Sequence, residues 1–140
     1  MIWYIQLTKT DKLFSMRENE LSYLIRGAIF KVYNALGPGL LETIYEQVLA
    51  FELRELDLDI KTQVSLPFRY GPVTFESGFR LDILVEDSVV IEVKSVETLW
   101  DVHHKQLLTY LKLSDLRLGI LVNFNTADIS KSIFRKVNGL

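Results

Sequence analysis

Leu81-Asp82-Ile83-Leu84-Val85 and Val89-Val90-Ile91-Glu92-Val93-Lys94 are two apolar runs, each interrupted by charge, with Glu86-Asp87-Ser88 between them. Both read as β-strands of one hairpin. Strand side chains alternate faces, so Glu92 and Lys94 point the same way. An unpaired charge inside an apolar strand is costly, so each of these charges needs a partner. A three-residue loop sets the register: Val85 opposite Val89, Leu84 opposite Val90, Asp82 opposite Glu92 and Arg80 opposite Lys94. Arg80, Asp82, Glu92 and Lys94 then gather on one face, and Leu81, Ile83, Val89, Ile91 and Val93 form the core on the other. A two-residue loop would shift the register and part the carboxylates. Two opposed carboxylates are destabilising unless a cation lies beside them, and a divalent metal is one such cation. Local rule-breaking of this kind tends to mark functional sites. The same four residues also read as a salt-bridge cluster with no chemistry, since Glu-x-Lys is by itself a common tripeptide.

Outward from this hairpin the chain alternates between helical and extended patterns. Glu18 to Leu36 has Leu21, Leu24, Ile25, Ala28, Ile29, Val32 and Leu36 at helical spacing. Gly37-Pro38-Gly39 breaks it. Leu40 to Leu56 is a second helix, with Leu41, Ile44, Tyr45, Val48, Leu49 and Leu53 expected on its inner side. Ile60 to Arg69 is β-like, Tyr70-Gly71-Pro72 is a turn, Val73 to Glu76 runs back, and Phe79 to Val85 and Val89 to Ser95 are separate strands. Asp101 is the expected N-cap of a helix over Val102 to Leu113, and Leu116 to Asn123 is a strong strand. Ile129 to Val137 fits either a short helix or an edge strand, and residues 1–8 fit a short strand or a disordered apolar tail. The order predicts an α/β sandwich: an antiparallel meander, then a crossover helix and a strand able to lie parallel.

The 140 residues suit one domain, long enough to bury about two-thirds of the unfolded surface. A formal net charge of −2 gives no global attraction to nucleic acid, so such a partner needs a local basic patch or is held weakly. The chain has no cysteine, which excludes disulfides and thiolate metal sites and points to a cytoplasmic protein. No apolar run approaches the roughly 18 residues of a membrane span. Met1 to Leu7 lacks a basic leader and a small-residue cleavage site, so a signal peptide is not expected there.

Several motifs lie in a fixed order along the chain. Gly39-Leu40-Leu41-Glu42-Thr43-Ile44-Tyr45 fits Gly-x-x-Glu-x-x-Tyr. Arg80 to Glu86 and Ile91-Glu92-Val93-Lys94 follow, then His103, Gln106 to Leu111, and Asn123-Phe124-Asn125. The chain resembles the GxxExxY family of small bacterial and archaeal proteins, grouped with the PD-(D/E)xK, or restriction-endonuclease-like, nucleases. The resemblance runs from about Glu18 to Val137. It leaves residues 1–17 as an N-terminal extension and 18–140 as a single nuclease-like domain.

The resemblance implies a fold, a metal and a reaction. The fold is a restriction-endonuclease-like sandwich with a central mixed sheet. The reaction is metal-dependent hydrolysis of phosphodiester bonds, in DNA before RNA. Asp82 matches the metal-binding Asp of the superfamily, although Arg80 and Leu81 precede it in place of the Pro of its name. Glu92 and Lys94 match Glu-x-Lys, and Glu42 matches a helix-borne acid that completes the site. Asp82, Glu92, the Val93 carbonyl and Glu42 are then the oxygen ligands of Mg²⁺ or Mn²⁺. Lys94 orients the attacking water or stabilises the oxyanion. Gln106 and Tyr110 resemble the Gln-x-x-x-Tyr helix motif of the RecB-like branch.

Plainer roles stand beside these. Glu42 reads equally as an acid favoured by the helix dipole, Tyr110 as core, Gln106 as a satisfied amide, and Lys94 as a structural counter-ion. His103 and His104 are adjacent and lack the spacing of a zinc pair. The rival reading keeps the fold without the chemistry: a binding or assembly module, as a homodimer. A nuclease whose affinity comes from a partner is a third.

Overall fold

The computed structural model describes residues 2–139, with side chains for residues 17–76 and 78–139. The elements run α1 (Ile2–Leu36), α2 (Glu42–Arg54), β1 (Ile60–Tyr70), β2 (Val73–Val85), β3 (Val89–Lys94), α3 (Asp101–Ser114), β4 (Leu118–Asn123), a 3₁₀ turn (Ile129–Lys131) and β5 (Ile133–Val137). Among the described residues the strands form one sheet in the order β1-β2-β3-β4-β5. β1, β2 and β3 form an antiparallel meander. β3 and β4 pair in parallel, joined through α3, and β5 returns antiparallel to β4. The expected mixed sandwich is therefore the architecture observed.

Helices cover both faces. On one side α1 lays Leu21, Ile25, Ile29 and Val32 on the sheet, a stripe at helical spacing, and α2 adds Tyr45, Leu49 and Leu53. These pack on Ile83, Val85, Val89, Ile91, Val93, Ile120 and Val122. On the other side Leu107 and Leu111 of α3 meet Leu81, Leu84, Val90 and Leu121. β3 and β4 are thus covered on both faces, which explains their nearly unbroken apolar sequence. α3 comes so close to β4 at Gly119 that a Cβ there would lie 2.9 Å from Leu107 Cδ1.

Several expectations are corrected. Residues 2–8 belong to α1 and form neither strand nor tail. Val73 to Glu76 and Phe79 to Val85 are one strand, because β2 continues through Ser77-Gly78. Leu41 precedes α2 and is exposed, and Ile44 is also exposed rather than inner. The N-cap of α3 is Trp100, not Asp101, with the His103 ring accepting from Trp100 N at 3.0 Å. The ambiguous tail resolves as the 3₁₀ turn followed by β5. Among the described residues no helix is long and apolar enough to cross a membrane.

Candidate metal and catalytic site

The Gly-x-x-Glu-x-x-Tyr segment is first a device for setting the start of α2. Gly37 and Gly39 take φ of +68° and +97°, values that disfavour any residue with a Cβ. The buried Tyr45 hydroxyl donates to Gly37 O at 2.5 Å and accepts from Leu40 N at 3.1 Å. Its ring stacks on Phe124 with centroids 4.4 Å apart, and Phe124 N donates to Lys94 O at 2.9 Å. The loop, the helix start and the end of β3 are thereby fixed to one another. Glu42, the first residue of α2, accepts from Ser95 N at 3.2 Å, and Ser95 Oγ donates to Leu40 O at 2.5 Å. Glu42 therefore lies across from the charged hairpin and not in open solvent.

The hairpin keeps part of the expected register. Val85 opposes Val89, Leu84 opposes Val90 and Ile83 opposes Ile91, around the three-residue turn. The ladder then stops. The expected Asp82–Glu92 and Arg80–Lys94 pairs are not formed, because β2 parts from β3 at Asp82. Side-chain bonds replace the lost rungs. Val93 N donates to Asp82 Oδ2 at 2.9 Å, and Asp82 N donates to Glu92 Oε1 at 3.3 Å. Leu81, expected with Ile83 on one face, packs instead in the α3-side cluster.

Glu92 is only 5% exposed. Burial pushes its carboxyl up to about 9, and the negative charge of Asp82 adds to the shift, while Lys94 opposes it. Asp82 is also raised, by burial first, against the Val93 N–H bond and the Lys94 charge. An acid buried beside a second acid favours its protonated form in the absence of a cation. Lys94 is half-buried and, among the described residues, closes no ion pair.

A residue not anticipated from sequence joins them. Glu46, one turn beyond Glu42, is 8% exposed and accepts from Gln63 Nε2 at 2.5 Å. Burial raises its pKa, the Gln63 bond opposes that, and the charges of Asp82 and Glu42 add to it. Glu42, Thr43, Glu46, Gln63, Asp82 and Val93 line a cavity of about 70 Å³. Its i+4 spacing from Glu42 puts both acids on one helix face, but an acid on a helix rich in Glu reads by default as solvated.

On the α3 side Tyr110 stacks on Phe79 with centroids 4.7 Å apart. Its pKa is raised by burial and then by the charges of Glu92 and Asp82, so it borders the pair. Gln106 is exposed and has no side-chain hydrogen bond among the described residues. His103 is spent on the start of α3.

Buried carboxylates whose ionised forms lack a cation are the donor chemistry that suits a hard divalent ion. Among the described residues no three acidic or histidine side chains are gathered to hold a metal by themselves. A bound ion would therefore rely on Asp82 and Glu92 with backbone or solvent oxygen. No curated protein matches the chain. A family model does match, over residues 19–136, and superfamily nucleases of its kind generally use divalent metal ions. With its mixed sheet, its flanking helices and this match over most of its length, the chain belongs to the PD-(D/E)XK nuclease superfamily.

Proposed function

We propose that the protein is a metal-dependent nuclease that hydrolyses phosphodiester bonds in nucleic acid, DNA before RNA, and that within the superfamily it falls in the GxxExxY family. The observation that carries this is the pair of half-buried Asp82 and buried Glu92 at the point where β2 leaves β3, with Lys94 beside it and, among the described residues, no ion pair to occupy it. Asp82, Glu92 and the Val93 carbonyl would hold Mg²⁺ or Mn²⁺. Such an ion supplies charge neutralisation at the phosphate and acidifies bound water. Lys94, two residues on from Glu92, is the donor for a phosphate oxygen or for the water that attacks. Glu42, held by Ser95 N, keeps a second carboxylate oxygen as an acceptor for water at the mouth of the cavity. Tyr110 closes the α3 side, and the exposed Gln106 amide one turn before it is free to meet the nucleic-acid backbone.

The net charge of −2 makes the substrate weakly held or delivered by a partner. Phosphate contacts release counterions, so binding falls steeply with salt. The test is Mn²⁺-dependent cleavage of single- and double-stranded DNA and RNA by the wild type, with Asp82→Asn and Lys94→Ala purified identically. Cleavage lost in both variants, each folded by circular dichroism, supports the reading. Equal behaviour of all three proteins rejects it.

One observation favours a second reading, a homodimeric binding or assembly module. An open groove of about 560 Å³ between α1 and α2 is bordered by Tyr23, Phe30 and Leu56. Tyr23 is 79% exposed. In that reading the acidic pair is a relic of the fold, and the wild type neither cleaves nor binds Mn²⁺.

A further inference from the structure

Two rungs of the β1–β2 ladder, Thr62↔Ile83 and Val64↔Leu81, lie two residues apart on both strands. In a regular sheet they would share a face. They do not: Ile83 is in the core under α1 and α2, whereas Val64 and Leu81 pack on the α3 side. Both strands change face at the rung between them, and the residues of that rung are Gln63 and Asp82. Gln63 has φ of +52°, and the other positive-φ residues with a side chain lie outside the strands, in turns or at helix ends. A glutamine gains nothing from this conformation, which is uncommon outside Gly, Asn, Asp and His. Such strain persists where the surroundings over-determine it. Here the surroundings include a 2.5 Å hydrogen bond from the Gln63 amide to the buried Glu46 on α2.

The change of face has a direct effect on Asp82. It takes the residue out of the β2–β3 ladder and aims its carboxylate at Val93 N, beside Glu92. We infer that Gln63 is a positioning residue: anchored on Glu46, its left-handed backbone holds the reversal of β1 and β2 that presents Asp82 to β3. The inference deepens the reading of Asp82 as a functional carboxylate and rests on it for its biological meaning. Its geometric content stands without it. Gln63 need not touch substrate or metal. The Glu46 carboxylate serves as the fixed end of the anchor, which accounts for an acid buried on α2 with a single amide partner.

The experiment reads the Val93 amide. In the wild type its hydrogen bonds to Asp82, so its exchange reports whether Asp82 is presented, with or without metal. Gln63→Met keeps the length of the side chain and deletes the donor. Exchange at Val93 should accelerate by about tenfold or more, the equivalent of one charged hydrogen bond, while Val122 in the central strand β4 stays protected. Mn²⁺ affinity should fall by about tenfold or more, as for other groups that hold a ligand in place. The reciprocal double variant Glu46→Gln/Gln63→Glu reverses the donor and the acceptor and should restore both readouts. Val93 protection unchanged in Gln63→Met overturns the inference, as does a double variant that folds yet is no better than Gln63→Met. Should Gln63→Met not fold, the reciprocal variant decides by the same two readouts. A wild type that binds no Mn²⁺ rejects the nuclease reading, but the Val93 amide still tests the positioning.

Discussion

Removing the charge from Glu92 should make the metal-free protein more stable and its stability less dependent on pH. Glu92 rises from an ordinary 4.5 to about 9 in the folded chain. Between those values the folded state binds one proton more than the unfolded state. Stability is then fully present below the lower value and is lost as pH rises toward the upper one. The slope inside the window is about 1.4 kcal/mol per pH unit, whatever the exact end points. From about pH 7 to about pH 8.5 the loss is about 2 kcal/mol, a fall in Tm of roughly 4–8 °C for a domain of this size. That window lies above the titration of His104, whose pKa burial lowers and whose contribution has the opposite sign. Asp82, Glu46 and Glu18 are also raised, each by burial first, so they share the sign of Glu92. Glu92→Gln keeps the shape and the hydrogen-bonding of the protonated acid. Its Tm in EDTA should be flatter across the window and should exceed that of the wild type at the alkaline end. Saturating Mn²⁺ should cancel the wild-type loss, because the ion takes the ionised form. The assay is thermal unfolding followed by circular dichroism. A wild-type Tm that is flat in EDTA, or a Glu92→Gln slope equal to it, would refute the argument that this acid is protonated because it is buried beside Asp82.

Three further outcomes are expected. Mn²⁺ binding near pH 7.5 should release close to one proton, seen as a dependence of the calorimetric enthalpy on the ionisation heat of the buffer; no buffer dependence would mean that the pair is already ionised. Tyr45→Phe removes the bonds to Gly37 O and Leu40 N and should cost about 1–3 kcal/mol; a denaturant midpoint equal to the wild type would show that the Phe124 stack alone fixes the loop. A chain beginning at Met16 should unfold within a few degrees of the full chain, because the family match begins at residue 19, and a large drop in Tm would assign residues 2–15 a structural contact.

The two-sided core was legible because it depends on periodicity. Leu21, Ile25, Ile29 and Val32 mark a helix face, and the apolar β3 and β4 mark strands covered twice. The first three rungs of the charged hairpin were legible too, since the length of the Glu86-Asp87-Ser88 turn sets them. What alternation does not encode is a change of face. Leu81 was assigned to the core of Ile83 because the rule counts residues, and the count fails where the β1–β2 ladder skips the rung between Thr62↔Ile83 and Val64↔Leu81. β2 appeared broken at Ser77-Gly78 for a related reason. A Cβ at Gly78 would lie 2.3 Å from Phe68 Cβ, so the glycine lets the Phe68 side chain approach within a continuous strand.

The candidate site divides along the same line. Asp82, Glu92 and Lys94 could be selected because each places a charge where its strand would not otherwise keep one, and Glu42 because it falls in the Gly-x-x-Glu-x-x-Tyr motif. Glu46 gives no such signal. It follows a tyrosine on a helix rich in Glu, and an acid there is by default solvated. Its carboxylate is held by Gln63, 17 residues away, which leaves the ordinary strand conformation and supplies the donor. Neither residue is informative alone: the acid explains the strained glutamine, and the glutamine explains the buried acid. Asp82 sits opposite that glutamine, so the rung that breaks the sheet is also the rung that delivers the carboxylate. A sheet kept regular at this point would hold Asp82 within the ladder as the cross-strand partner of Glu92, and its carboxylate would not accept from Val93 N. The irregularity is therefore the part of the fold on which the chemistry of the pair depends.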